Sequence, residues 1–325
     1  MNNKPIIKTK GELLPIIMSG EDFNKYDYSS ITDMSFMFVD KKEEIPNISM
    51  LDTSNVIDMK FMFNGSTFNQ DISNWDVSNV INMGAMFIDS PFNQPLNNWD
   101  VSNVTDFGIM FENTPFNQPL NNWNTSNVIS MNSMFKNTPF NQPLDIWDVG
   151  NVSNMEATFH NTPFNQPLNN WDISNVKNIA YMFCNTIFNQ PLNNWDVSNI
   201  TTMCNTFHNS PFNQPLNKWN ISNVIDMDSM FQNTPFNQDI SSWHISNIAD
   251  IDSMFKTCGI TILDYIPQSL HNPQNISDLF YSFPESIKIL PTINMLNLLK
   301  EEYTLNDFMY NAYKEKILNK TTNKI

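Results

Sequence analysis

The chain has 325 residues and is strongly acidic, with 33 Asp and Glu against 17 basic residues and a formal net charge of −16. All 17 basic residues are lysines, and arginine is absent. Proteins that bind nucleic acid neutralise phosphates with clustered Lys and Arg, so this charge argues against nucleic acid and anionic membrane surfaces as partners. The odd count of three cysteines predicts reduced thiols rather than a disulfide framework.

The N-terminal region carries no recognisable signal peptide. Its longest apolar stretch, 13–18, is interrupted by Pro15 and is shorter than the core that a signal peptide needs. No later segment approaches the roughly 18 uncharged apolar residues of a membrane-spanning helix. The sequence alone therefore predicts a cytoplasmic protein without membrane insertion. Residues 1–25 are expected to form an N-terminal cap, in which 9–18 covers the first coil.

A unit of 24 residues then recurs about ten times between residues 26 and 256. The eight tryptophans are 24 residues apart, at positions 75, 99, 123, 147, 171, 195, 219 and 243. The triplet Phe-Asn-Gln keeps the same interval, and the pair Met-Phe recurs with it in most units. A unit of this length cannot enclose a core of its own, so neighbouring units must stack. The sequence therefore predicts a solenoid of about ten coils.

One unit, 92–115, shows the secondary structure expected of each coil. Phe92 and Leu96 alternate with polar residues, which predicts a short strand that pairs in parallel with the next coil. Asn103 is placed to cap a helix, and residues 104–111 have apolar side chains at helical spacing. Each coil is therefore predicted to contain a short parallel strand and a short helix, an α/β repeat.

The residues at one position of successive units form a column along the solenoid. Two kinds of column, apolar and polar, recur in the units and need different explanations. The Trp and Met-Phe columns are predicted to form the core. The Asn and Gln of Phe-Asn-Gln, and the Asn that follows Ser78 in its unit, recur although they are polar. Fixed amides of this kind indicate side chains that satisfy one another, or the backbone, between coils.

The regular pattern stops after residue 256. Residues 257–325 are predicted to form irregular leucine-rich coils followed by a helical C-terminal cap, with 295–318 as the helix. Solenoids need such a cap because the last coil would otherwise expose its core.

Segments such as FNQPLNNWDVSNVTDFGIMF and FNQDISNWDVSNVINMGAMF resemble the BspA-like leucine-rich repeat family. They match the branch whose units read W-D-V-S-x-V-x-x-M-x-x-M-F and F-N-Q, over residues 26–256. The resemblance implies a right-handed solenoid related to leucine-rich repeats. It also implies a surface or secreted binding and adhesion protein, in contrast to the cytoplasmic location predicted from the N terminus.

No motif of a hydrolase, metalloprotease, nucleotide-binding enzyme or dinucleotide-binding enzyme occurs in the sequence. The chain is therefore predicted to be a non-catalytic scaffold that binds a protein or a glycan, with no cofactor. The alternatives are a structural or assembly protein and, third, a carbohydrate-active enzyme. Exposed aromatic side chains in one coil would favour glycan binding.

One variable column supports a hypothesis of a zinc site. The position after the Phe of Met-Phe holds His160, Cys184 and His208 in three consecutive units, and Cys204 precedes His208 by four residues. Histidine and cysteine are the residues that most often bind zinc in proteins. The alternative is that an exposed column acquired these residues by drift.

Overall fold

The repeats stack into one solenoid with a continuous hydrophobic interior. The computed structural model describes residues 4–245, 249–251, 253–255 and 258. Within these residues a single cluster of buried side chains extends from Leu13 to Cys258. The predicted repeat solenoid is therefore confirmed, because the described coils share one core.

Two helices precede the repeats. Helix α1 spans Lys10–Met18, and a 3-10 helix spans Phe23–Lys25. The side chain of Thr9 accepts a hydrogen bond from the first turn of α1, which satisfies one of its free N–H groups. Leu13 and Ile17 of α1 are buried and belong to the hydrophobic cluster of the solenoid. Helix α1 therefore covers the N-terminal end of the core.

Backbone hydrogen bonds join each coil to the next at regular positions. Phe107 N donates to Ser130 O at 3.0 Å, and Ile109 N donates to Asn132 O at 2.7 Å. The next two alternate amides of this coil continue the series, and the same pattern recurs along the solenoid. The peptide units that form these bonds therefore point along the solenoid axis and connect coils.

The short helix predicted for residues 104–111 does not form, and that prediction was wrong for all the coils that the structure describes. Instead, Met110 N donates to Phe107 O at 3.2 Å, which closes a four-residue turn. Its third residue, Ile109, has a φ of 63°, as a type II turn requires. A second such turn follows, with a φ of 60° at Asn113.

The physical reason for the error is that successive four-residue turns also place apolar residues three and four apart on one side. A helix of two turns has little stability of its own, so the hydrogen bonds between coils decide the backbone. Asn103, which was expected to cap the helix, instead donates from Nδ2 to Ser78 O at 2.7 Å. Asparagine tolerates positive φ, and it occupies the equivalent of Asn113 at 137, 161, 185, 209 and 233.

The strand predicted at Phe-Asn-Gln-Pro-Leu is also absent from the described coils, where parallel pairing is confined to isolated bridges such as Asp106 with Ser130. Side chains join the coils here instead. Asn93 Oδ1 accepts hydrogen bonds from Asn117 N at 3.0 Å and from Gln118 Nε2 at 3.2 Å. The proline that follows Gln in most units has no N–H, so a regular backbone ladder cannot form. The predicted stacking of these amides is confirmed.

The Trp and Phe columns fill the interior, as predicted. Trp147 is only 3% exposed, and its Nε1 donates to Leu120 O of the preceding coil at 3.0 Å. The ring of Phe111 stacks 3.9 Å from Phe116, which begins the next unit, and lies 5.9 Å from Phe135 of that unit. Aromatic side chains therefore pack across the boundaries between units.

The predicted C-terminal region lies outside the described residues, apart from Cys258. This thiol is buried and donates to Phe236 O at 3.1 Å. The irregular coils and the helical cap expected in 257–325 stay predictions, as do the domain boundaries.

Candidate functional site

The four residues of the predicted zinc site are partly or fully buried on one side of the solenoid. Burial lowers the pKa values of His160 and His208, so both imidazoles are neutral at pH 7. Their Nδ1 atoms are buried and receive no hydrogen bond from the part of the chain that the structure describes. Burial also raises the pKa values of Cys184 and Cys204 to about 11, so both remain thiols. Zinc binds neutral imidazoles and displaces the protons of thiols, so the raised pKa values of Cys184 and Cys204 weaken zinc binding without excluding it.

The side chains of His160, Cys184 and His208 do not converge on one point. Side chains of a column follow the solenoid axis, as the 5.9 Å between the rings of Phe159 and Phe183 shows. His160 and His208 are two coils apart, whereas zinc ligands lie about 2.0–2.3 Å from the ion. Within 4–245 and the short described segments beyond, no group of three His, Cys, Asp or Glu side chains could hold a metal ion. The structure gives the zinc hypothesis no support, and it stays a prediction for metal analysis to test.

A row of asparagines follows the exposed surface of the solenoid. From Asn79 to Asn223, each donates from Nδ2 to a backbone carbonyl of the preceding coil, for example Asn79 to Ser54 O and Asn103 to Ser78 O, both at 2.7 Å. These asparagine side chains are exposed at the surface. These hydrogen bonds therefore fix the asparagine side chains, and their carboxamides lie at the protein surface.

A shallow groove of about 700 Å³ runs beside this row across the first five coils. Its lining residues are Ser29, Thr32, Asn55, Ile57, Asn79, Ile81, Asn103, Thr105 and Asn127. Two of its aliphatic side chains are well exposed, Ile57 at 43% and Ile81 at 46%. Ligand sites combine apolar walls with a few fixed polar groups, and this groove has both.

Aspartates in the turns before the asparagine row keep this side of the molecule negative. Asp76 Oδ1 accepts hydrogen bonds from Ser78 Oγ at 2.7 Å and from Ser78 N at 3.0 Å. These hydrogen bonds lower the pKa of Asp76, and the equivalent bonds from Ser174 lower the pKa of Asp172. The carboxylates are therefore charged at neutral pH and favour the approach of a positively charged partner.

The asparagine column is evident in the sequence, whereas the groove was not predicted from it. The signal was the alternation after Ser-Asn, in which Val80 is buried and Ile81 is exposed. Side chains on an extended backbone alternate between faces, so an isoleucine directly after the buried valine must face outwards. The repeated isoleucine at this outward position was the clue.

The chain was compared with protein families, curated proteins and solved structures. Four overlapping segments, 16–115, 90–187, 110–211 and 184–288, match the family described as Mycoplasma protein of unknown function, DUF285. No curated protein and no solved structure matches. In the residues with a described structure, neither helix has the length and apolar character needed to cross a membrane. The four matches together extend over residues 16–288, and the chain therefore belongs to the DUF285 family.

Proposed function

We propose that this protein is a non-catalytic scaffold that binds a protein or a glycan through the exposed face of its solenoid. The observation that carries the proposal is the groove, where exposed Ile57 and Ile81 lie beside a row of fixed asparagines. The buried columns hold the groove in shape because each Trp and each Phe-Asn-Gln triplet contacts the neighbouring coil. A long preformed surface favours binding, since little conformational entropy is lost when a partner docks.

The polar side chains that recur in the coils support a role without catalysis. The amides of Asn93 and Gln118 are used in hydrogen bonds between coils, and Asp76 is held by its own turn. Catalysis requires a nucleophile, a base or an acid placed together around one reacting atom. The recurring polar groups are distributed along the solenoid axis, an arrangement that suits recognition of an extended partner.

We further propose that the solenoid is right-handed and related to the leucine-rich repeats of BspA-like proteins. The repeated W-D-V-S and F-N-Q motifs support this relationship. The relationship in turn supports adhesion at a cell surface as the biological setting. The net charge of −16 favours a partner with basic groups over nucleic acid.

A pull-down with two matched variants tests the proposal. The immobilised chain, the Ile81→Glu variant and the Ile146→Glu variant are each incubated with extracts of host cells and their surface glycoproteins. Ile146 is 66% exposed but does not line the groove, so its replacement controls for an added negative charge. We expect a bound partner with the original chain and with Ile146→Glu, and loss of that partner with Ile81→Glu.

Two results would contradict the proposal. One is the absence of any partner that binds the original chain above the level of an unrelated acidic protein. The other is a partner that binds all three proteins equally, because the groove would then have no part in binding. Binding should also weaken as salt rises from low to physiological concentration, since screening reduces attraction between opposite charges.

A further inference from the structure

Two aromatic side chains form an exposed stack near helix α1. The rings of Phe36 and Phe61 are 5.0 Å apart with an angle of 17° between their planes. Phe36 is 56% exposed and Phe61 is partly exposed, whereas Phe38 and Phe63, two residues further along, are completely buried. This stack therefore lies outside the hydrophobic core and belongs to the surface.

The backbone at both positions is unfavourable for phenylalanine. Phe36 has a φ of 58° and Phe61 a φ of 56°, in the left-handed region that suits glycine and asparagine. The equivalent positions in later coils hold Ala85, Ile109, Ser133, Ala157, Tyr181, Asn205 and Ser229. The coil thus accepts side chains of very different size and polarity here, and core packing does not require an aromatic ring. The positive φ belongs to the backbone of the repeat, and the exposed pair of aromatic rings is what distinguishes Phe36 and Phe61.

The charged side chains around the stack already have partners within the chain. Lys10 Nζ of α1 lies 2.8 Å from Asp33 Oδ2 and also donates to Ser35 O, next to Phe36. Lys60 Nζ lies 5.4 Å from the centre of the Phe61 ring. The side chain of Asp33 is 56% exposed, so its carboxylate can accept further hydrogen bonds from a ligand. Lys10 already neutralises Asp33, and Lys60 already lies over the Phe61 ring. A ligand therefore does not need to bring a positive charge, and the site favours an uncharged one.

We propose that the Phe36–Phe61 stack, with Asp33 and Lys10 beside it, binds one ring of a neutral saccharide. The C–H face of a sugar ring is apolar and would pack on the exposed Phe36 ring. Its hydroxyl groups would donate to the Asp33 carboxylate, which Lys10 holds in place through its own hydrogen bonds to Asp33 and Ser35. The inference rests on the proposed function as a binding scaffold, and it adds a second site and a ligand class to it.

The chemistry of the site separates this ligand from two others. An anionic saccharide would meet a strongly acidic molecule and is disfavoured. A basic peptide could place a cation on the aromatic faces, but Lys60 already lies over Phe61 and Lys10 already pairs with Asp33. Both ligands are outcomes that the experiment must be able to reveal.

The experiment uses the full chain on an array of neutral, sialylated and sulfated oligosaccharides, together with an oligo-lysine peptide. The test variant is Phe36→Asn with Phe61→Asn, because Asn205 occupies the same column. The matched control is Ile109→Asn, the same replacement in the same column two coils away from Phe61. All variants are checked by thermal unfolding, where we expect midpoints within about 4 °C of the original chain.

We expect neutral oligosaccharides to bind the original chain and Ile109→Asn, with a loss of about tenfold or more in affinity for the double Phe variant. The inference is overturned if no neutral saccharide binds, if binding is unchanged in the double variant, or if sialylated, sulfated or oligo-lysine ligands bind there instead. The groove variant Ile81→Glu separates the two proposals. If a partner requires Ile81 for binding and no saccharide on the array binds, the proposed scaffold role is retained. Only the saccharide site is then rejected.

Discussion

The replacement of Trp147 by alanine tests how much one coil contributes to the stability of the whole solenoid. Trp147 is 3% exposed, stacks 6.1 Å from Trp123 and donates from Nε1 to Leu120 O at 3.0 Å. Truncation of a large buried aromatic side chain lowers the free energy of unfolding by about 3–5 kcal/mol. Loss of the indole N–H removes one of two donors to the buried Leu120 carbonyl, which still accepts from Trp123 N at 3.2 Å, so this bond accounts for about 0.5–1.5 kcal/mol of that penalty.

Urea unfolding followed by circular dichroism measures this change in the free energy of unfolding. A second variant separates the contribution of the hydrogen bond from that of the aromatic ring. Trp147→Phe keeps an aromatic ring but removes the N–H, so we expect it to lose about 0.5–1.5 kcal/mol, the net contribution of one hydrogen bond. Ile146→Ala is the control, because Ile146 is 66% exposed and its truncation should change stability by less than about 0.5 kcal/mol. Equal losses for Trp147→Ala and Ile146→Ala would refute the placement of the Trp column in the core.

Three further predictions follow from the backbone and from the buried titratable groups. Ile109→Asn should raise the free energy of unfolding by about 1 kcal/mol in urea, because a β-branched residue at positive φ is strained; a loss of stability would contradict the turn. The pKa values of Cys184 and Cys204 are raised from 9.0 to about 11 in the folded state, so their contribution to stability is complete below pH 9 and is lost as pH rises towards 11. Alkaline urea titrations of a variant with alanine at both positions should therefore show a weaker pH dependence than those of the original chain. The pKa values of His160 and His208 are lowered from 6.5, so their contribution is present above pH 6.5 and is lost as pH falls. Replacement of both by glutamine should flatten the acid limb of the stability curve, and an unchanged limb would contradict their burial.

The sequence predicted the repeat and its core because both depend on spacing alone. A Trp every 24 residues fixes the length of the coil, and a large apolar residue at each repeat must be buried. The Phe-Asn-Gln amides could be interpreted for the same reason, since a polar residue that recurs in every coil needs a partner in the next one. Asn93 and Asn117 have that relationship in the structure.

The secondary structure of the coil could not be predicted from spacing. Apolar residues from 104 to 111 fit a helix and a pair of turns equally well, and only the left-handed φ of Ile109 separates them. Isoleucine gives no local sign of that conformation, because hydrogen bonds to the next coil impose it. The sequence did not single out the exposed stack of Phe36 and Phe61, because each directly precedes a Met-Phe pair that is predicted to be buried.

The bonds between coils are the central claim, and NMR can observe them directly. Scalar couplings across hydrogen bonds identify which amide nitrogen is bonded to which carbonyl carbon, even in a repetitive chain once the resonances are assigned. The structure predicts a coupling between Ile109 N and the carbonyl carbon of Asn132, across the 2.7 Å hydrogen bond between their coils. A coupling between Ile109 N and the carbonyl carbon of Thr105, four residues earlier, would show a helix in its place and contradict the account.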